Sequence, residues 1–178
     1  MTSDDEILRR WLECRWVRRF ESGRCSPEQF AIGLIADWGL PVDPGTFLDA
    51  FAHWPKELFT GAKQLVSDTA AACAVACVSN TNALHWELHV ERWEMDRFFE
   101  QAFLSYRIGM VKPDAEFFRC VTDTLGVSVE SVVMLDDSPL NVEGALAVGM
   151  QARQVKGPEE ARKALEQLGV LSRRSDSS

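Results

Sequence analysis

Three places in the chain carry side chains suited to handling a phosphoryl group beside a divalent cation. Ser79-Asn80 follows the apolar run Val75-Ala76-Cys77-Val78. Lys112 stands in Gly109-Met110-Val111-Lys112-Pro113, and Asp136-Asp137 follows Val132-Val133-Met134-Leu135. A hydroxyl and nearby backbone N–H groups hold phosphate oxygens at a helix N-terminus. A lysine offsets the negative charge gathered there. Mg²⁺ takes carboxylate oxygens and keeps several of its waters. Each piece alone has a plainer reading. Ser-Asn after an apolar run is a turn or helix cap, Lys-Pro a solvated side chain ahead of a helix, and Asp137 a cap for the helix that begins near Pro139. The acidic pair is the strongest of the three, because two adjacent carboxylates at a strand end repel each other without a counter-ion.

These side chains can meet only if the segments before them are neighbouring strands. In open α/β sheets, ligands bind beyond the carboxyl ends of the strands. The spacing predicts that organisation from Ala74 onward. Strands are expected at Val75–Val78, Ala102–Tyr106, Val132–Leu135 and Gln151–Val155. The helices between and after them are expected at Asp114–Leu125, Leu140–Val148 and Pro158–Leu168. Such alternation implies a parallel, Rossmann-like α/β sheet flanked by helices. The first sixty or so residues read as helical. Ile7, Leu8, Trp11, Leu12, Trp16, Val17 and Phe20 recur at helical spacing up to Ser22-Gly23. Ser26-Pro27-Glu28 opens a second helix that runs to Gly39. Pro44–Trp54 and Leu58–Ala72 are expected to form two more. The expected organisation is a helical cap region over 1–65, an α/β core over 66–171 and a disordered tail over 172–178.

The ordered set Val78-Ser79-Asn80-Thr81-Asn82, Gly109-Met110-Val111-Lys112-Pro113-Asp114 and Val133 through Ala145 resembles motifs II, III and IV of the haloacid dehalogenase (HAD) superfamily. The likeness is greatest to phosphatases with a helical cap, such as sugar-phosphate phosphatases and the N-terminal phosphatase domain of soluble epoxide hydrolases. Phe20-Glu21-Ser22-Gly23 through Phe30 is similar to their cap segment. The resemblance implies Mg²⁺-dependent hydrolysis of a small phosphorylated metabolite. Ser79 would bind the transferring phosphate and Asn80 would support that loop. Lys112 would contact phosphate and nucleophile. Asp136 would ligate Mg²⁺, Asp137 would assist the metal or orient Lys112, and Asn141 would brace the motif IV loop. Dehalogenases of the superfamily need no metal and have a less acidic fourth motif, so phosphate chemistry is favoured over theirs.

The family's first motif, a strand ending in Asp-x-Asp, has no counterpart. Asp4-Asp5 lead straight into a helix, and Asp37, Asp43 and Asp49 lie in or beside cap helices. The resemblance therefore implies an absent covalent nucleophile and a missing central strand. The strands ending at Ser79 and Asp136 would then either pair directly or keep unsatisfied edges. A chain that has lost its beginning, and so is weak or inactive, is the favoured expectation. A non-catalytic phosphate- or protein-binding remnant is the alternative, with a homodimer through uncovered strand edges as its candidate assembly.

Bulk properties narrow the partners. A net charge of −8 argues against a nucleic-acid surface, and no apolar run is long enough to span a bilayer. Five cysteines without a C-x-x-C spacing fit reduced thiols and a cytoplasmic protein. The six tryptophans are expected mainly in packing. His85 and His89, four apart on a helix, lack the third ligand that a metal site needs.

Overall fold

The computed structural model describes residues 4–55 and 57–173. In chain order the elements begin α1 (Asp4–Glu13), α2 (Arg15–Glu21), α3 (Pro27–Trp38), α4 (Pro44–Ala52) and α5 (Ala62–Ala70). Next come β1 (Ala76–Ser79), α6 (Ala83–Trp93), β2 (Gln101–Leu104) and α7 (Ser105–Ile108). The chain then runs through α8 (Ala115–Leu125), β3 (Val133–Asp136), α9 (Pro139–Ala147), β4 (Gln151–Gln154) and α10 (Pro158–Gln167). These elements form two compact units. One gathers the described residues of Met1–Lys56 with Val78–Arg92 and Leu104–Val111. The other gathers Glu57–Cys77, Trp93–Phe103 and the described residues from Lys112 onward. Among the described residues no helix is long and apolar enough to cross a membrane. The expected tail falls outside the described residues beyond Arg173.

The first unit is helical, for local reasons that the sequence states. Ser26 Oγ accepts the Gln29 N–H at 3.2 Å and the Gln29 side chain accepts the Ser26 N–H at 3.1 Å, a reciprocal cap that starts α3. Gly39, at φ 64°, ends it in the left-handed conformation that costs glycine nothing. Asp43 caps α4 through the Thr46 N–H at 3.0 Å. Val17, Phe20, Phe30, Leu34 and Phe51 form the buried centre, with the Phe20 and Phe30 rings stacked 4.5 Å apart. The expected single helix up to Phe20 breaks at Cys14, which is extended and buried. The break serves packing. Trp11 meets Phe30, Trp38, Phe51 and Trp54, so tertiary contact overrides a continuous helical spacing. Trp54 stays 57% exposed.

The second unit holds the β3–α9–β4 crossover. β3 and β4 pair in parallel, with Val133 opposite Gln151 and Asp136 opposite Gln154. Met134, Val142, Ala145 and Ala152 are buried along this crossover, and Phe117, Phe118 and Val121 are buried on α8. α10 meets α5 through the Arg162–Asp68 ion pair. Among the described residues the strands form two two-stranded sheets, β1 with β2 and β3 with β4. The direct pairing of β1 with β3, one of the two arrangements expected without a central strand, is therefore not adopted. β2 also ends at Leu104, two residues earlier than expected, because Ser105 starts the short helix α7.

Candidate active site

The six residues singled out by sequence divide between the two units, Ser79 and Asn80 in the first and Lys112, Asp136, Asp137 and Asn141 in the second. In the second unit the apolar strand β3 delivers Asp136 to its carboxyl end. There Asp136 Oδ2 accepts from Lys112 Nζ at 2.6 Å. Its Oδ1 accepts from the Ser138 N–H at 2.9 Å and from Asn141 Nδ2 at 3.0 Å. The Lys112 and Asp136 side chains are only 7% and 6% exposed, so this is a buried ion pair whose carboxylate accepts three hydrogen bonds. Asp137 is exposed, and its carbonyl accepts from Gln154 Nε2 at 2.9 Å.

Lys112 reaches Asp136 because α9 lies close to the Lys112-Pro113 turn. A Cβ on Gly144 would stand 2.5 Å from the Pro113 carbonyl oxygen and 3.0 Å from the Phe118 ring, so only glycine admits this approach. Cys77, on β1, feels the same lysine. Burial pushes its thiol up to about 11, while the Lys112 charge pulls the other way. Two oxygens beside Asp136, Ser138 Oγ and Asn141 Oδ1, are buried without a hydrogen-bond partner. With the Asp136 carboxylate they are hard oxygen donors of the kind Mg²⁺ takes. Among the described residues no three His, Cys, Asp or Glu side chains cluster. An ion held on these few oxygens would keep much of its water, as Mg²⁺ does.

In the first unit Ser79 ends β1 and Asn80 opens the following loop, both half-buried. The Ser79 hydroxyl makes only a 3.5 Å contact with the Asn80 carbonyl, too long to hold it. The two residues after them are anchored firmly. Thr81 exchanges hydrogen bonds with Ser105 Oγ, and Asn82 caps α6 by accepting the His85 N–H at 3.1 Å. His85 Nε2 lies 2.7 Å from the Phe51 carbonyl and Nδ1 lies 3.2 Å from Asn82 Nδ2. Because Asn82 Oδ1 takes the backbone N–H, its amide nitrogen must donate to Nδ1. His85 is then neutral, with its proton on Nε2. Burial lowers the His85 pKa, partly countered by the bond to Phe51, and it lowers that of His89, which His85 lowers further. Ser105, Ser138 and Gly144 were not picked out by sequence reasoning. Ser138 and Gly144 fall inside the motif IV stretch and carried a signal there, whereas Ser105 carried none.

Comparison with known proteins bears on the family and the fold. The family description "haloacid dehalogenase-like hydrolase" matches residues 46–155, well over half of the chain. Flavin mononucleotide hydrolase 1 of Arabidopsis thaliana is 27% identical over 168 residues, covering 92% of this chain and 67% of that protein. Bifunctional epoxide hydrolase 2 of Rattus norvegicus is 32% identical over 75 residues, covering 42% of this chain and 14% of its own length. This chain thus spans about two thirds of the first relative and a small part of the second. Among solved structures, a HAD family enzyme of Bacteroides thetaiotaomicron superposes with a TM-score of 0.71. It is an aspartate-to-alanine mutant in complex with magnesium and inorganic phosphate. The identity is 25%, over 83% of this chain and 76% of that one. On the match over residues 46–155, supported by that fold, the chain belongs to the haloacid dehalogenase-like hydrolase family.

Proposed function

We propose that the chain handles phosphomonoesters: it binds Mg²⁺ and the phosphoryl group of a small metabolite. The observation that carries this reading is the end of β3, where a buried lysine–carboxylate pair lies beside two unpartnered buried oxygens. Asp136 and Asp137 would hold the cation, with Ser138 and Asn141 offering oxygens to it or to its waters. Bound there, Mg²⁺ would act as a Lewis acid on a phosphoryl oxygen. In the second unit Lys112 would offset phosphate charge; in the first, taken by itself, the Ser79–Asn80 loop would offer donors to phosphate oxygens. Relatives of phosphatase type support the choice of chemistry: one is a flavin mononucleotide hydrolase, and one structural neighbour holds magnesium with inorganic phosphate.

Turnover by this chain is expected to be slow. Among the described residues the four strands end at Ser79, Leu104, Asp136 and Gln154, and none ends in Asp-x-Asp. No carboxylate is thus placed as an attacking group, and a covalent aspartyl-phosphate has no assigned origin here. That same feature favours a second reading, a non-catalytic phosphate-binding module. One experiment addresses both. The chain is titrated with inorganic phosphate in Mg²⁺ by ³¹P NMR and assayed against a panel of phosphomonoesters. Mg²⁺-dependent binding that Asp136→Asn abolishes, with little turnover, is the expected result. No binding would sink the proposal. Fast turnover abolished by Asp136→Asn would show that this chain does supply an attacking group.

A further inference from the structure

We propose that Ser105 is a positioning residue for the Ser79–Asn80 loop, an inference that rests on the phosphate-binding reading above. β1 ends at Ser79 and β2 at Leu104, so backbone pairing between these strands stops there. One residue beyond β2, the Ser105 hydroxyl takes over. It accepts the Thr81 N–H at 2.9 Å and donates to the Thr81 carbonyl at 3.0 Å. A single side chain thus serves both backbone groups of Thr81, as one more rung of the sheet would. Ser105 is fully buried and Thr81 is 4% exposed, so water cannot replace either bond. The next residue, Asn82, is held through His85 to the Phe51 carbonyl at the end of α4.

Ser79, the last residue of β1, and Asn80 therefore lie directly before the Thr81 clip. The clip itself is made by Ser105 Oγ and the Thr81 backbone alone. That is the arrangement a phosphate cradle needs, because donors hold an anion well only when their directions are set beforehand. Ser105 touches no substrate in this reading and acts only through the loop.

The test compares Ser105→Ala with Ser22→Ala, which deletes another buried hydroxyl, one bonded to the Arg19 carbonyl within its own helix end. Two quantities are followed: exchange of the Thr81 amide hydrogen, and affinity for inorganic phosphate in Mg²⁺. Ser105→Ala is expected to speed Thr81 exchange and to weaken phosphate binding about tenfold, while Ser22→Ala changes neither. If the alanine variant does not fold, the nearly isosteric Ser105→Cys carries the comparison. Faster exchange with unchanged phosphate affinity overturns the positioning role and leaves the phosphate reading standing. Unchanged exchange overturns it also. A wild-type chain that takes up no phosphate overturns the phosphate reading, and the inference falls with it.

Discussion

Asp136→Asn is the sharpest perturbation of the second unit. The native carboxylate accepts three hydrogen bonds, from Lys112 Nζ at 2.6 Å, the Ser138 N–H at 2.9 Å and Asn141 Nδ2 at 3.0 Å. A side-chain amide can keep its oxygen toward Ser138 and Asn141, but its NH₂ then faces the lysine ammonium. Donor meets donor, and a cation 7% exposed loses its 2.6 Å counter-ion. Breaking a buried pair from one side costs about 3–5 kcal/mol. At roughly 2–4 °C per kcal/mol for a chain of this size, the midpoint should drop by roughly 6–20 °C. The pair is isolated by a double-mutant cycle with Lys112→Met, read by urea unfolding. Removing the lysine charge as well should make the double variant more stable than Asp136→Asn alone, with a coupling of about 1–3 kcal/mol. A single variant within about 0.5 kcal/mol of the native chain, or a cycle without coupling, would refute the argument that this pair holds the end of β3.

Gly144→Ala should destabilise the second unit by about 1–3 kcal/mol in the same assay, since its Cβ would lie 2.5 Å from the Pro113 carbonyl oxygen; an unchanged midpoint would show that α9 can shift freely. Acid should weaken the first unit. Burial lowers the pKa of His85 and of His89 below the ordinary 6.5, so the unfolded chain takes up protons first as pH falls. Stability present above about 6.5 is then lost below it, until the folded-state values are reached. Thermal midpoints between pH 7.5 and 5.5 should fall, and less steeply in His85→Gln; an equal slope in both proteins would contradict this. Among the thiols, exposed Cys73 should react with iodoacetamide at pH 8 well before Cys77, whose thiol is pushed up to about 11. The reverse order, read by peptide mass mapping, would mean that β1 is open.

What could be read from sequence was local chemistry. Ser26, Pro27 and Gly39 act within a few residues of themselves, so α3 was legible to its ends. Asp136 was legible because an acidic pair after an apolar run is unusual anywhere in a chain. The break at Cys14 was not, since its cause is Trp11 packing among aromatic rings on α3, on α4 and just beyond it. Ser105 was missed for a related reason. A serine after Ala-Phe-Leu reads as one more strand residue, and its partner Thr81 lies 24 positions away. Gly144 was legible only as part of the motif IV stretch; its close approach to Pro113, a contact across the chain, was not. Pairing between strands was equally out of reach: the apolar runs predict strands, but β1 with β2 and β3 with β4 are choices made across the chain.

Asp136 is both the hub of its loop and the first candidate ligand for Mg²⁺, and its geometry lets the two roles be weighed. An ionised carboxylate offers about four lone-pair sites, and three donors occupy it already. One site remains, enough for a single bond to a cation or to one of its waters without releasing Lys112. Further direct oxygens must then come from Asp137, which is exposed, or from the unpartnered Ser138 Oγ and Asn141 Oδ1. A cation bound on so few protein oxygens keeps most of its water, and its hold on the chain is correspondingly loose. A phosphoryl group would then add oxygens that the protein lacks, so Mg²⁺ and phosphate should each tighten the other's binding. Titrating one ligand at several fixed concentrations of the other measures this directly, and independent affinities would remove Asp136 from the metal site while leaving its part in the fold intact.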